Sequence, residues 1–353
     1  MIKEEYSPYK IIHSFDKLIQ FKDGEQPNPL QVQIIPSNKC NNSCLTCAYR
    51  LKGNKSNEIF NDKDLLSYEK IVETLDSCVD MGVRAIQITG GGEPLVHPKI
   101  KNIFRDTLDR KLELALVSNG MALDDELCKI LSDSAWVRIS VDCATPETYS
   151  SFRKVNKKMF FRTIENIKNL VKYKKDSVIG AGFVVNKYNY KEIFDAAKLF
   201  KEIGVDNFRI SAAFTPDGYS YFDGIYEDSF ELAKKAQELS DDNFTVFNLF
   251  NDRMKDMFEG VQDYNFCPTK DLLAYVGADY NVYTCCTLAY NKKGKIGSIK
   301  NQSFKDLWMS DDKINMFKSH NPDLRCKNPC LYKAKNEFIN YCIKDKPKHI
   351  NFI

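Results

Sequence analysis

Long apolar runs are missing from this sequence of 353 residues, so no segment is expected to span a bilayer. The amino terminus, MIKEEYSPYK, is charged and lacks the apolar stretch of a secretory signal peptide. Histidine is scarce, with four residues, so nitrogen-rich zinc or haem sites are poorly supplied. The formal net charge is only +3, and no clear basic patch indicates a nucleic-acid partner. We therefore expect a cytoplasmic protein that acts without membrane or nucleic acid.

Cysteine, by contrast, is abundant, with twelve residues. A reducing compartment disfavours disulfides, so this number of thiols indicates metal or redox chemistry. Cys78 and Cys128 fall in helix-patterned segments and are predicted to be buried as small apolar residues. Most of the others form two groups, one near the amino terminus and one in the last quarter of the chain.

Between residues 31 and 211, short apolar runs alternate with amphipathic helical stretches. The predicted strands are Gln31–Ile35, Arg84–Thr89, Glu113–Val117, Trp136–Val141, Val178–Val185 and Asn207–Ser211. The predicted helices between them are Ser67–Met81, Lys99–Arg110, Asp124–Ser132, Met159–Lys172 and Tyr190–Ile203. This alternation predicts an α/β fold with a parallel sheet and right-handed crossovers, either open or curled into a partial barrel.

Polar side chains share one face of several predicted strands. They are Gln87, Thr89, Arg138, Ser140, Asp142, Arg209 and Ser211. If the apolar faces pack under helices, these side chains point inward and indicate a wet cavity that can hold a ligand. A closed barrel filled with Val, Ile and Leu would not need them. The alternative is that some of these strands are edges that face solvent.

The region after Ser211 has a different character. A Pro/Gly/aromatic segment leads to a predicted helix near Glu227–Leu239, and a second cysteine-dense region begins at Cys267. That region is expected to be a small domain held by metal instead of a large core. The expected divisions are an amino-terminal extension (1–30), a barrel (31–212), a linker with a helix (213–265), a cysteine-rich domain (266–345) and a basic tail (346–353).

The first cysteine group, CNNSCLTC, places Cys40, Cys44 and Cys47 directly after the first predicted strand. Three thiolates in one loop can hold three corners of a cubane cluster and leave the fourth iron open. A structural zinc site, the alternative, normally takes four ligands, and no fourth Cys or His lies nearby in sequence. The CxxxCxxC pattern in this position resembles the radical S-adenosylmethionine (SAM) superfamily. That resemblance implies a partial (β/α)6 TIM-like barrel and a [4Fe–4S] cluster that binds SAM.

A glycine-rich motif after the second strand strengthens this resemblance. The sequence GGGEP follows RAIQIT, where glycines let the backbone approach a ligand closely. By resemblance, Gly91, Gly92 and Glu93 bind the amino group of SAM. The other positions that the resemblance implies for cofactor binding are Asn119, Ser140 and Asp142 for ribose and carboxylate, Arg209 for the methionine carboxylate or the substrate, and Thr46 near the adenine. Thr46 departs from the aromatic residue that is usual there, and Tyr49 is a candidate to compensate.

The second cysteine group resembles the SPASM/twitch extensions of the same superfamily. It runs through DYNVYTCC, a Gly-containing segment, a short helix ending in Trp, and CKNPC. The resemblance implies a second, auxiliary [4Fe–4S] cluster on Cys267, Cys285, Cys326 and Cys330, with a zinc ion on the same thiols as the alternative. Cys286 is an alternative ligand or a thiol that donates a hydrogen atom to a substrate radical. Cys143, at the end of the fourth strand, is a second candidate donor.

The resemblance implies an enzyme that cleaves SAM reductively and abstracts hydrogen from a substrate carbon, with an external one-electron donor of the flavodoxin or ferredoxin kind. The auxiliary cluster would assist oxidation or relay an electron. Its substrate is either a ribosomally made peptide or a small metabolite, sugar or nucleotide. About thirty residues precede the first strand, too few for a leader-binding domain. A rival of another class is a non-catalytic iron–sulfur or zinc protein.

Overall fold

The computed structural model describes residues 6–51, 58–259, 264–326, 330–344, 348–349 and 351. One ten-stranded sheet organises the chain, in the order β10-β9-β8-β1-β2-β3-β4-β5-β6-β7. Its strands are β1 (Gln31–Ile34), β2 (Ala85–Ile88), β3 (Glu113–Ser118), β4 (Trp136–Ser140), β5 (Val178–Val185), β6 (Asn207–Ala212), β7 (Thr245–Asn248), β8 (Leu273–Val276), β9 (Asn281–Tyr283) and β10 (Lys295–Ser298). Strands β1 to β7 pair in parallel in chain order, and β8 pairs in parallel with β1 on the other side.

Helices connect the parallel strands and cover the sheet. In the described ranges they are α1 (Phe15–Lys22), α2 (Tyr68–Asp80), α3 (Ile100–Asp109), α4 (Asp125–Leu131), α5 (Pro146–Arg153), α6 (Lys158–Tyr173), α7 (Ile193–Ile203), α8 (Tyr226–Gln237), α9 (Phe250–Glu259), α10 (Thr269–Leu272), α11 (Phe304–Trp308), α12 (Asp311–Lys318), α13 (Pro322–Arg325) and α14 (Lys333–Ile343).

Apolar spacing explains how these elements pack. Helix α6 buries Phe160, Thr163, Ile167 and Leu170, which recur at the three- and four-residue steps that place side chains on one helix face. On β4 the alternation has a period of two, so that Val137 and Ile139 are buried in the core while Arg138 and Ser140 are only half-buried. Each large apolar side chain buried in this way contributes roughly 1.5–3 kcal/mol.

All six predicted strands are present, and the expectation of a partial barrel is confirmed. The sheet is open, because β7 and β10 form unpaired edges, yet residues from β3, β4, β5 and β6 line one shared cavity. The segment expected to be a linker (213–265) contains β7, which continues the sheet beyond β6, and a second helix, α9. The cysteine-rich region also joins the sheet, since β8 pairs with β1.

Helix α5 was absent from the sequence prediction. It begins with Thr145 as N-cap, whose hydroxyl accepts a hydrogen bond from Thr148 N, and with Pro146 in the first turn. Both are ordinary start signals for a helix. The helix is short, with eight residues, and follows β4 closely, so the apolar pattern alone did not reveal it.

No helix in the described ranges combines the length and apolar character needed to cross a membrane. None of the twelve cysteines, all of which the structure describes, forms a disulfide.

Candidate functional site

A cavity of about 450 Å³ opens at the carboxyl edge of the parallel strands. The three thiols of Cys40, Cys44 and Cys47 form one wall. The glycine-rich loop and the strand ends contribute Thr89, Gly90, Gly91, Gly92, Glu93, Ser118, Asn119, Ser140, Val184, Arg209 and Ser211, and further lining residues include Arg153, Arg253, Cys286 and Thr287. The volume lies in the range of roughly 300–1,000 Å³ that small-molecule sites occupy. Ligands in parallel α/β sheets bind at this edge.

The cysteine loop is held by the carboxyl end of α5. Ser43 N donates to Arg153 O (3.1 Å), and Leu45 N donates to Phe152 O (3.1 Å). Burial raises the pKa of both Cys40 and Cys44. Three half-buried thiols that line one cavity, without a fourth Cys or His in the same loop, suit a cluster that leaves one iron open.

The glycine-rich loop lies directly against the backbone that leads into Cys40. Glu93 N donates to Lys39 O (2.8 Å), and Gly92 N donates to Ser37 O (3.1 Å). A Cβ on Gly92 would come within 2.1 Å of Lys39 O, so no larger residue fits there. The glycines thus have a packing role whether or not a ligand is bound.

The Glu93 carboxylate is buried and fully engaged by protein donors. It accepts hydrogen bonds from Ser118 Oγ (2.7 Å), Asn119 N (2.7 Å) and Leu95 N (3.0 Å). Burial raises the pKa of Glu93, while these donors oppose that shift by favouring the ionised form. Asn119 lines the cavity and donates from Nδ2 to Asn41 Oδ1 in the cysteine loop (2.7 Å). Glu93 and Asn119 therefore join the glycine loop, β3 and the cysteine loop into one unit.

Arg153 is a site residue that the sequence did not reveal. Its guanidinium pairs with Asp142 (2.6 Å), donates to Ser140 O (2.6 Å) and Val141 O (3.2 Å), and lies 3.6 Å from Cys44 Sγ. Burial alone would lower the pKa of Arg153, but the Cys44 thiol and the Asp142 carboxylate outweigh burial and raise it, so the group stays charged. The Thr145–Pro146 start signal of α5 would have drawn attention to it.

Most of the predicted cofactor residues converge on the cavity, and two predicted residues do not. Asp142 is turned into the ion pair with Arg153 and accepts from Val184 N (2.7 Å), outside the cavity lining. Cys143 is fully buried in the hydrophobic core, and burial raises the pKa of its thiol. Thr46 lines the cavity as expected. Tyr49 also lines the cavity, and its hydroxyl lies 2.7 Å from that of Tyr275.

Of the second cysteine group, only Cys286 is among the residues that line the cavity. Burial raises the pKa of Cys267 to about 12, and the neighbouring thiols of Cys330 and Cys285 add to the shift, which places these three close together. Cys326 follows α13, within the same carboxyl-terminal segment. Cys342 is exposed on α14.

Cys286 connects the two regions. Its thiol lines the cavity together with Thr287, and it lies 3.5 Å from Tyr332 Oη. Burial raises its pKa, although the Tyr332 hydroxyl and Arg253 oppose that shift. A thiol in this position can face a substrate on one side and the auxiliary cysteines on the other.

Within the described ranges, no three His, Cys, Asp or Glu side chains converge closely enough to hold a single metal ion. A second cavity, of about 580 Å³, opens at the amino ends of β5 to β7. Four of its five charged lining residues pair with one another, Lys174 with Asp206 and Lys201 with Asp241 (2.6 Å). The chemistry-bearing residues thus gather at the carboxyl edge.

Comparison with known proteins agrees with this arrangement. Residues 34–200 match the family model of the Radical SAM superfamily, and residues 267–331 match that of SPASM, an iron–sulfur cluster-binding domain. The tungsten-containing aldehyde ferredoxin oxidoreductase cofactor-modifying protein of Pyrococcus furiosus is 27% identical over 180 residues, 50% of this chain and 49% of that protein. The GTP 3',8-cyclase of Aquifex aeolicus is 32% identical over 185 residues, 50% of this chain and 55% of the cyclase. The chain thus matches about half the length of these curated relatives.

Among solved structures, Streptococcus suis SuiB bound to its precursor peptide SuiA superimposes with a TM-score of 0.65 at 17% identity. The superposition covers 97% of this chain and 79% of SuiB. SuiB bound to S-adenosylmethionine gives a TM-score of 0.64 at 18% identity and covers 88% of this chain and 73% of that one. These likenesses concern the fold.

Proposed function

We propose that this chain, a radical SAM enzyme with a C-terminal SPASM domain, uses SAM to abstract a hydrogen atom from a carbon of its substrate. The observation that carries the proposal is the convergence of three thiols, the glycine-rich loop and the strand-end polar groups on one cavity. A non-catalytic iron–sulfur protein would need the cysteines but not this cavity.

In this proposal, Cys40, Cys44 and Cys47 hold a [4Fe–4S] cluster. When bound, that cluster supplies the electron for cleaving SAM to methionine and a 5′-deoxyadenosyl radical. The chain's own residues position SAM. We assign the peptide groups of Gly91 and Gly92 to its amino group, and Asn119 and Ser140 to its ribose and carboxylate. Arg209 is assigned to the methionine carboxylate or to the substrate, and all five residues line the cavity. Glu93 acts by holding the glycine loop on β3.

Asp142, in contrast, is proposed to act through Arg153 by fixing the cysteine loop. The auxiliary cluster is proposed on Cys267, Cys285, Cys326 and Cys330. Cys286 remains a candidate ligand or hydrogen donor because it lines the cavity. Cys143 is a weaker candidate, since its thiol is sealed in the core.

The substrate is proposed to be a ribosomally made peptide or a small metabolite. The fold likeness to SuiB, solved with a precursor peptide, supports the peptide. The likeness to a protein named GTP 3',8-cyclase supports a small molecule. Enzymes of this superfamily need an electron donor, and we propose a flavodoxin- or ferredoxin-like one in the cytoplasm, where the cysteines stay reduced.

The test is an iron count and a deoxyadenosine assay on anaerobically reconstituted protein. Two four-iron clusters require roughly eight irons per chain. Changing Cys40, Cys44 and Cys47 to Ala should remove about half of the iron and abolish deoxyadenosine release from SAM under dithionite. The matched control is Cys128→Ala, a cysteine buried away from the cavity, which should keep both. A colourless protein that holds zinc and releases no deoxyadenosine would refute the proposal.

A further inference from the structure

The barrel interior contains three arginines that face inward from separate elements. Arg138 is on β4, Arg209 is on β6, and Arg253 is on α9. All three are half-buried, and in the part of the chain that the structure describes none forms an ion pair with a carboxylate within 4.0 Å. Guanidinium groups do not lose their charge in proteins, so this interior carries positive charge that the chain itself leaves unpaired.

The carboxylates of the same region are already engaged. Glu93 accepts three hydrogen bonds, from Ser118, Asn119 and Leu95. Asp142 is paired with Arg153 at 2.6 Å. Asp256 acts on Arg253 electrostatically, but its carboxylate pairs with Lys333 (3.6 Å) and forms no ion pair with Arg253 within 4.0 Å.

Two of these cations share one aromatic ring. The guanidinium carbons of Arg138 and Arg209 lie 5.9 Å and 5.4 Å from the ring centroid of Tyr6, which packs edge-on against Phe247. Cation–π contact offsets part of the cost of burying a charge, but it supplies no hydrogen-bond acceptor. Arg209 Nε remains buried without an acceptor. An unsatisfied buried donor of a charged group is costly unless a ligand completes it.

Arg253 lines the same cavity as the cysteine loop. Helix α9 begins just after β7, so its first turn stands at the carboxyl edge of the sheet, and Arg253 lines the cavity with Arg209, Cys286 and Thr287. Burial lowers the pKa of Arg253 to about 10, and repulsion by Arg209 adds to the shift. Because both arginines line the same cavity, an anion bound there would be attracted by both guanidinium groups.

Resting on the proposed function, we infer that Arg253 and Arg209 bind an anionic group of the substrate, a carboxylate or a phosphate, and so place the substrate between the SAM-binding wall and Cys286. Guanidinium groups suit both anions because their paired N–H donors match two oxygens at once. Arg138 lies outside the cavity lining and shares the Tyr6 ring with Arg209. The two arginines would therefore select substrates that carry a carboxylate or a phosphate near the carbon that loses hydrogen.

Two other uses of Arg253 make different predictions. One is a role toward the SAM carboxylate, in which case SAM affinity depends on Arg253. A role beside the auxiliary thiols is the other, because Cys286 and Cys330 both act on its pKa, and in that case auxiliary iron depends on it.

The experiment titrates small anions into anaerobically reconstituted protein saturated with SAM and follows binding by calorimetry. The probes are inorganic phosphate, pyrophosphate and succinate, which separate phosphate from carboxylate recognition. Losing one charged hydrogen-bond partner should weaken binding of the preferred anion by roughly tenfold or more in Arg253→Gln, and by less in Arg253→Lys. The matched control is Arg162→Gln, which removes the same charge from an exposed position on α6 and should leave binding unchanged.

Iron content, SAM affinity and deoxyadenosine release are measured on the same preparations. The inference is supported if anion binding falls in Arg253→Gln while iron and SAM affinity stay near the wild-type values. It is overturned if no probe binds the wild type, if Arg253→Gln binds as the wild type does, or if SAM affinity or auxiliary iron falls instead. A wild type that binds the anion but releases no deoxyadenosine would refute the proposed function and leave the anion site standing.

Discussion

Replacing Arg153 by methionine should loosen the cysteine loop, because this one side chain joins three parts of the site. It contacts Asp142 Oδ2 at 2.6 Å, Ser140 O at 2.6 Å and Cys44 Sγ at 3.6 Å. Side-chain exposure is only 4% for Arg153 and 9% for Asp142, so water cannot take over these contacts without a change of structure.

The size of the stability loss follows from Asp142, whose buried carboxylate is left without its partner. Removing one partner of a buried ion pair costs about 3–5 kcal/mol, because the other charge stays buried and uncompensated. Asp142 keeps only the hydrogen bond from Val184 N (2.7 Å) when Arg153 is gone. In the double variant Asp142→Asn with Arg153→Met, no charge is left behind, so the loss should be smaller than the sum of the two single losses. Residues in direct contact typically couple by about 0.5–3 kcal/mol.

The assay is urea unfolding of the reconstituted protein, followed by circular dichroism, on the wild type, both single variants and the double variant. The rate of iron loss to a chelator provides a local readout and should rise in Arg153→Met, since the loop that carries Cys44 loses its anchor. Arg162→Met is the control and should change stability by no more than about 0.5 kcal/mol, as exposed substitutions do. A loss below about 1 kcal/mol in Arg153→Met, or strictly additive losses, would refute the reasoning.

Gly92→Ala should lower iron retention and SAM affinity together, because the new Cβ would lie 2.1 Å from Lys39 O and push away the backbone before the cysteine loop. The control is Gly24→Ala, whose Cβ would have no neighbour within 4 Å and should strain only its own turn. Normal iron retention in Gly92→Ala would contradict the packing argument. His320 should make the protein lose stability as the pH falls. Burial lowers its pKa from 6.5 to about 4, so the neutral form is favoured in the folded state, and its contribution is complete above pH 6.5 and lost progressively below it. The loss in free energy of unfolding approaches roughly 3 kcal/mol at low pH. His320→Leu should flatten the dependence of stability on pH between pH 7 and pH 5.5, whereas the control His13→Gln, at an exposed position, should not. An unchanged slope in His320→Leu would rule the assignment out.

Much of the fold was predictable because local patterns and the final structure agree. The alternation on β4 and the apolar spacing on α6 are readable from sequence, and both elements lie where the pattern places them. Strand β7 was not readable, because TVFN is four residues long and follows a polar turn. Its place depends on pairing with β6, which is a tertiary contact.

The cysteine and glycine motifs of the site were predictable for a different reason. Each is a run of residues that act close to one another in sequence, so spacing alone indicates the chemistry. Arg153 is different, since its partners Cys44 and Asp142 lie 109 and 11 positions away. The Thr145–Pro146 start signal marks only the helix that carries Arg153, and the part that Arg153 plays in the site follows from the geometry of α5.

The interior arginines show why charge balance is the hardest property to read from a sequence. Arg138 and Arg209 were recognised as inward-facing from strand alternation, but 48 acidic residues in the chain offer possible partners. Whether a given carboxylate reaches them depends on every competing contact, and here Glu93 and Asp142 are occupied by other donors. An unpaired cation is therefore a property of the folded molecule. Because burying an unpaired charge is costly, an unpaired arginine in a cavity wall indicates that the ligand of the cavity carries a negative charge.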